Sequence, residues 1–261
     1  MEIETQTTVE NDDDKGSALV EKSSSAYFSM FYSGDNIELA NMISNKCTEI
    51  HSSKIKAGNQ LEKDVASDVA AHSSYTMYDK SNASCVELWN EKKHKLIYSK
   101  EVIDSLMKPC VISGLRFPKA LYDLHGLKCK NKTSIEVDFT IVTVEEGVTK
   151  IRLVELKNGC NFDTKKSKGE VQSLEATKNL CQLTGFTAKS PAIVCFDAKT
   201  LSDIIIKTCL EGVELMLYET MASEMGLDSG SRERIGAILK KRALDNIESF
   251  KKFINNLERL F

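Results

Sequence analysis

The stretch SIEVDFTIVTVEEGVTKIRLVELK, residues 134–157, constrains the fold more than any other part of the chain. Two β-rich runs flank Glu145-Glu146-Gly147-Val148, the pattern of a hairpin. With the turn centred between Glu146 and Gly147, Asp138 lies directly across from Glu155, and Glu136 across from Lys157. A two- or four-residue loop keeps that register, whereas a three-residue loop shifts it by one. Directly opposed residues of an antiparallel pair share a face, with Cβ atoms about 4.5–5.5 Å apart. Lys157, two positions along from Glu155, shares that face too.

Glu155 and Lys157 interrupt a run in which Leu153, Val154 and Leu156 read as core. Opposed carboxylates on a half-buried sheet repel each other unless something positive lies between them. Mg²⁺ is the natural candidate, with Mn²⁺ as an alternative, since a hard ion accepts a few carboxylates and keeps several waters. Between Asp138 and Glu155 it would polarise a phosphoryl oxygen and lower the pKa of a bound water. Lys157 would orient that water or stabilise the charge on phosphorus. The competing reading is a solvated strand face with Asp138 unrelated to it, because E-x-K triplets recur by chance. The residues alone leave both readings open.

Around the hairpin the pattern is mixed. Helical spacing appears at 36–54 and again, after Gly58-Asn59, at 58–74, where Leu61, Val65 and Val69 recur in four-residue steps. CVELW and HKLIYS (85–99) suggest a second hairpin, and CVISGLRF (110–117) a strand. A helix is expected over 169–185, with Val171, Leu174, Leu180 and Leu183 inward and Gly185 as its stop. Next come a short buried strand at 192–197, a helix at 200–212 and a strand at 213–219. The end, 231–261, reads as a long amphipathic helix with Ile235, Leu239, Ile247, Phe250, Ile254 and Leu257 on one stripe. This order predicts an α/β (α+β) fold, a mixed sheet flanked by helices.

Residues 1–25 are acidic and poor in large apolar side chains, the composition of a disordered tail, and DDDKGS within them resembles a protease site and cloning scar. Without a Pro/Gly-rich linker, residues 26–261 read as one domain. The net charge of −3 is concentrated in residues 1–15, so the remainder is mildly basic, with lysines clustered around 162–172. No apolar run approaches the about 18 residues of a membrane span. The eight cysteines are scattered with no CxxC pair, which argues against a zinc ribbon. With no secretory signal in view, reduced thiols and a cytoplasmic or other intracellular compartment are expected. Nucleotide-loop and serine-hydrolase motifs are missing from the sequence. The four histidines share no ligand spacing, and Trp89 reads as core.

Val137-Asp138, followed after sixteen residues by Glu155-Leu156-Lys157, resembles the D…(D/E)-x-K signature of the PD-(D/E)XK nuclease superfamily, the fold of many type II restriction enzymes. The helix–strands–helix–strand order over roughly 58–200 is similar to that core, and Val137 stands where the signature has proline. The resemblance implies a Mg²⁺-dependent endonuclease acting on double-stranded DNA, with Asp138 and Glu155 as metal ligands and Lys157 as the catalytic lysine. Glu62 resembles the glutamate that many members carry on the first core helix; the other reading is an exposed helix carboxylate. Gln172 matches the first position of an exonuclease-branch Q-x-x-x-Y, but Ala176 stands where its tyrosine would be. Lys165, Lys166 and Lys168 are candidate phosphate contacts, with solvated loop lysines as the alternative. Arg116, Lys119, Arg232 and Arg234 are candidates for reaching bases or phosphates. Cutting both strands of a palindrome would call for a homodimer, with the C-terminal helix as a candidate interface or as simple core packing. The alternatives are a nuclease-like module that binds nucleic acid or protein without cutting, and a nuclease acting on RNA or repair intermediates.

Overall fold

The computed structural model describes residues 30, 37–78, 109–128, 134–160, 164–183, 186–205 and 211–259, apart from the side chains of 53–56 and 164–167. The acidic tail, the expected 85–99 hairpin and Trp89 lie outside the described residues. By its internal contacts the chain divides into two units, one running to Ile55 and including the last two residues, the other spanning Lys56–Arg259.

The elements are α1 (Ile37–His72), β1 (Thr76–Tyr78), β2 (Cys110–Pro118), α2 (Lys119–Leu124), β3 (Ser134–Glu145), β4 (Val148–Lys157), α3 (Thr164–Leu183), β5 (Thr187–Ala188), β6 (Ala192–Cys195), β7 (Glu214–Leu217), α4 (Tyr218–Glu224) and α5 (Ser231–Glu258). The fold is mixed α/β. Among the described residues seven strands form one sheet in the order β1-β2-β3-β4-β6-β7, with β5 pairing the start of β4. β2, β3 and β4 run antiparallel to their neighbours in that group, while β6 joins β4, and β7 joins β6, in parallel. β5 and β6 lie along the same edge of β4 with one extra residue between them, a bulge that accommodates Pro191.

Two cores lie on opposite faces of the sheet. On one, Ile135, Val137, Leu153 and Ile193 pack against Leu121 and Tyr122 of α2 and Val171, Leu174 and Leu180 of α3. On the other, Phe139, Ile141, Val154 and Leu156 pack against Leu61, Val65 and Val69 of α1, Tyr218 and Met221 of α4, and Ile235 of α5. With both faces covered, β4 and β6 read as near-continuous apolar runs, as buried strands do.

Several expected elements are corrected. The 36–54 and 58–74 helices are one helix, continuous through Gly58, where an added Cβ would meet nothing within 4 Å. Glycine in a helix interior costs only about 1 kcal/mol, little against the burial of Leu61, Val65 and Val69. In place of a helix from 200, residues Leu201–Asp203 form a single 3₁₀ turn, its N-cap Thr200 and Asp203 closing a capping box; 206–210 lie outside the described residues. The strand expected over 213–219 ends at Leu217, and Tyr218 opens α4. α3 begins at Thr164, five residues earlier than expected. Of the stripe on α5, Ile235 is buried and Leu239 packs against the core, but Ile247, Phe250 and Ile254 are exposed.

Asp64 and Asp68 fasten α1 to α5 within the second unit. Arg234 donates through Nε to Asp68 Oδ1 at 2.6 Å and through Nη2 to Oδ2 at 3.1 Å. Ser231 Oγ donates to Asp68 Oδ2 at 2.6 Å, and Tyr218 OH lies 2.8 Å from Ser231 Oγ. Arg242 donates to both oxygens of Asp64.

Candidate active site

The hairpin turn sets the register. Glu145 pairs with Val148, leaving Glu146 and Gly147 as the two-residue loop, with φ of 52° and 77°. Positive φ at both positions is the type I′ arrangement, whose twist matches that of the strands. The tip is fastened by Glu145, whose carboxylate accepts from Lys150 at 2.6 Å and Lys189 at 2.5 Å. These two ammonium groups hold its pKa down at about 2.

From the turn the ladder runs to Phe139–Val154, one pair short of Asp138 and Glu155. There β3 changes its facing: Phe139 and Ile141 belong to one core, Val137 and Ile135 to the other. Gly114 of β2 stands between the pairs Ser113–Phe139 and Leu115–Val137, with φ of 65°, a conformation open to glycine that lets β2 turn over alongside. Where the strands part, the Asp138 carboxylate takes the place of a ladder carbonyl: Leu156 N–H donates to Asp138 Oδ2 at 2.7 Å.

The expected Asp138–Glu155 pair lies one position beyond the last ladder pair, and the Glu155 charge acts on Asp138 there. Burial pushes its pKa well above the usual carboxylate range, and the charges of Glu155 and Glu62 push it further; the Leu156 N–H and the Lys157 ammonium pull the other way. Glu62 is half-buried on α1, beside the buried Leu61, and its charge reaches Asp138. The charges of Glu155, Glu62 and Lys157 thus all act on Asp138.

Lys157 Nζ donates to Glu155 Oε1 at 2.7 Å and to Glu170 Oε1 at 2.9 Å. All three side chains are mostly enclosed, at 24%, 17% and 16% exposure. Burial works to lower the Lys157 pKa, but the two carboxylates outweigh it and raise it above the ordinary lysine value. Glu170 is the site residue that sequence reading passes over. It sits in the second turn of α3, one residue before the buried Val171, and only the seating of α3 on β4 brings it to Lys157.

Other expected residues lie elsewhere. Glu136, expected across from Lys157, faces Arg116 on β2 and accepts from its Nε at 2.7 Å. Gln172 is half-buried on α3, but residues two apart point about 200° apart on a helix, so it flanks the core-facing stripe on the side opposite Glu170. Lys168 is exposed near the start of α3; the side chains of Lys165 and Lys166 lie outside the described residues. Lys119 pairs with Asp123 at 2.5 Å. Arg232 donates to the carbonyls of Phe196 and Ala198 and pairs with Glu219, while Arg234 is bound to Asp68 and Asp228. These four cations are engaged in internal contacts.

Among the described residues no group of three or more His, Cys, Asp or Glu is gathered as a metal cluster. Mg²⁺ asks for less: one or two carboxylates, with waters and substrate oxygens completing its shell. Asp138 and Glu155 are hard oxygen donors whose mutual repulsion a cation would relieve, so the donor set suits that ion. Cys47, Cys110, Cys160, Cys181 and Cys195 are not joined in disulfides, and among the described residues no helix is long and apolar enough to cross a membrane. Comparisons with family models, with curated proteins and with solved structures find no match for this chain.

Proposed function

We propose that the protein is a Mg²⁺-dependent endonuclease of restriction-endonuclease-like fold, hydrolysing phosphodiester bonds of double-stranded DNA. The observation that carries this reading is the meeting of Asp138, Glu155 and Lys157 at the point where β3 and β4 part, with the Asp138 carboxyl driven up by burial and then by its acidic neighbours. Asp138 and Glu155 would hold the ion, which when bound supplies Lewis-acid polarisation of a phosphoryl oxygen and a water of lowered pKa. Lys157 presents a fixed ammonium beside Glu155, a donor for the charge that grows on the phosphoryl oxygens. Glu62 adds negative charge around the cation position.

The start of α3 supports an anionic substrate. Its first turn carries no acidic residue, while Lys165, Lys166 and Lys168 follow one another there. Cations at the positive end of a helix dipole cost about 0.3–1 kcal/mol each, a cost that a phosphate backbone drawn to the same place would offset. A homodimer would supply the second site needed to cut both strands.

The test is digestion of supercoiled plasmid in Mg²⁺ against EDTA. Discrete fragments support a site-specific enzyme and a smear a nonspecific one. No cleavage with Mg²⁺ or Mn²⁺ would sink the reading in favour of a module that binds without cutting.

A further inference from the structure

The grip of Glu170 on Lys157 lies outside the D…(D/E)-x-K pattern and has its own consequence for the proposed reaction, on which it rests. Lys157 Nζ stands 2.7 Å from Glu155, and its charge also acts on Asp138, so the ammonium competes with any metal for the same two carboxylates. The opposing hold comes from another element: Glu170 on α3 accepts from Nζ at 2.9 Å. Were Glu155 to turn to a cation, Glu170 would remain as the partner that fixes the flexible four-carbon stem of Lys157.

We propose that Glu170 is a positioning residue that shares the Lys157 ammonium with Glu155 and so gives Nζ a second anchor, one that leaves Glu155 able to turn to a metal while Nζ stays aimed at the scissile phosphate. Glu170 touches neither metal nor substrate, and its whole effect passes through Lys157. A salt bridge serving stability alone would leave metal affinity and turnover untouched.

The experiment is a double-mutant cycle on the full chain with Glu170→Ala, Lys157→Ala and the pair, read by Mn²⁺ binding in the absence of DNA and by plasmid cleavage under saturating substrate. Glu170→Ala is expected to weaken Mn²⁺ binding and lower kcat by about tenfold each, the size of coupling between groups in direct contact, with KM for DNA unchanged. Glu170→Gln, which keeps an acceptor for Nζ, recovers part of both losses and serves in place of the alanine variant if that variant unfolds. In the Lys157→Ala background, removing Glu170 changes Mn²⁺ binding no further. Wild-type binding and kcat in Glu170→Ala overturn the proposal. So does an equal loss of Mn²⁺ affinity with and without Lys157, which would make Glu170 a direct metal ligand. A wild-type protein that neither binds Mn²⁺ nor cuts DNA brings down the nuclease reading itself, a result visible before any variant is made.

Discussion

Asp138 accepts the backbone N–H of Leu156 at the position where the β3–β4 ladder gives out. One oxygen thus closes the sheet while the carboxyl as a whole suffers from burial and from Glu155 and Glu62. Structure and chemistry pull this residue in different directions. Asp138→Asn keeps an acceptor for Leu156 and removes the charge. It is expected to fold with wild-type or slightly higher stability in EDTA, by up to about 1 kcal/mol, while losing cleavage and the stabilisation that Mg²⁺ confers. Asp138→Ala leaves the Leu156 N–H without its acceptor and costs about 1–3 kcal/mol. Denaturant unfolding of both variants with and without Mg²⁺ checks this; equal losses in the two would refute it.

The raised Asp138 pKa also sets a pH dependence. An acid whose folded pKa exceeds its unfolded value contributes stability at low pH that is lost as pH rises toward and through the folded pKa. Metal binding requires the deprotonated form, so the two effects run in opposite senses. In EDTA the wild type should lose stability on going from pH 5 to pH 8 relative to Asp138→Asn, and the Mg²⁺-induced rise in Tm should grow over the same interval. Thermal scans of both proteins at each pH measure it. A Mg²⁺ effect that is flat with pH, or that shrinks, contradicts the assignment.

Lys157 stands between two carboxylates and should matter to stability as well as to rate. Lys157→Ala leaves Glu155 and Glu170 facing each other without a counter-ion. Because all three retain some solvent contact, the cost is about 1–3 kcal/mol, below that of breaking a fully buried pair. Cleavage should fall by about a hundredfold or more. The measurements are urea unfolding and initial rates on plasmid; a variant that cuts at the wild-type rate removes Lys157 from the mechanism.

The register that brings Asp138 to Glu155 is legible in the chain because it depends on a local device, a Glu-Gly pair that accepts positive φ at both loop positions. The alternation rule carries the reading only as far as Phe139. Past it, the change of facing at Asp138 and Gly114 sends Glu136 to Arg116 rather than to Lys157, and nothing in the period-two pattern announces that change. Glu170 is illegible for a related reason. Its contact depends on how α3 is seated on β4, a tertiary fact, and at the start of a helix a glutamate reads as an ordinary solvated residue. Gly58 misleads in the opposite direction, because a local preference of about 1 kcal/mol yields to the core that α1 buries. Arg232 and Arg234, candidates for reaching bases or phosphates, each have carboxylate partners that lie far away in sequence or across a turn and that local pattern does not announce.

Asp68 provides a test of what the Arg234 ion pair does. Burial raises its pKa, but the Arg234 guanidinium and the Ser231 hydroxyl outweigh burial and hold it below the usual value. A depressed carboxylate contributes stability that is present above the unfolded pKa of about 3.9 and is lost as pH falls through the folded value. Asp68→Asn should therefore cost about 2 kcal/mol at neutral pH and flatten the acid limb of the stability curve below pH 4. Arg234→Ala should destabilise comparably while leaving DNA affinity, measured by fluorescence anisotropy, near wild type. A large loss of affinity in a folded Arg234→Ala protein would return that arginine to the nucleic-acid interface.

Two of the buried thiols are held far from reactivity. Burial pushes the Cys181 thiol up to about 12, and the Cys195 thiol to about 12 as well, with the Cys160 and Asp197 charges adding to burial at Cys195. The thiolate is the nucleophile, and at pH 8 a thiol of pKa about 12 supplies very little of it. In the native protein both residues should resist iodoacetamide at pH 8 for hours, while Cys47, which is only half-buried, is alkylated well before them. Peptide mapping before and after denaturation separates the cases: Cys181 and Cys195 should become labelled only once the two sheet faces have opened. Labelling of Cys195 in the folded protein at the rate of Cys47 would mean that the end of β6 next to Lys157 is open to solvent, contrary to the complete burial of Cys195 in the core on the α2–α3 face.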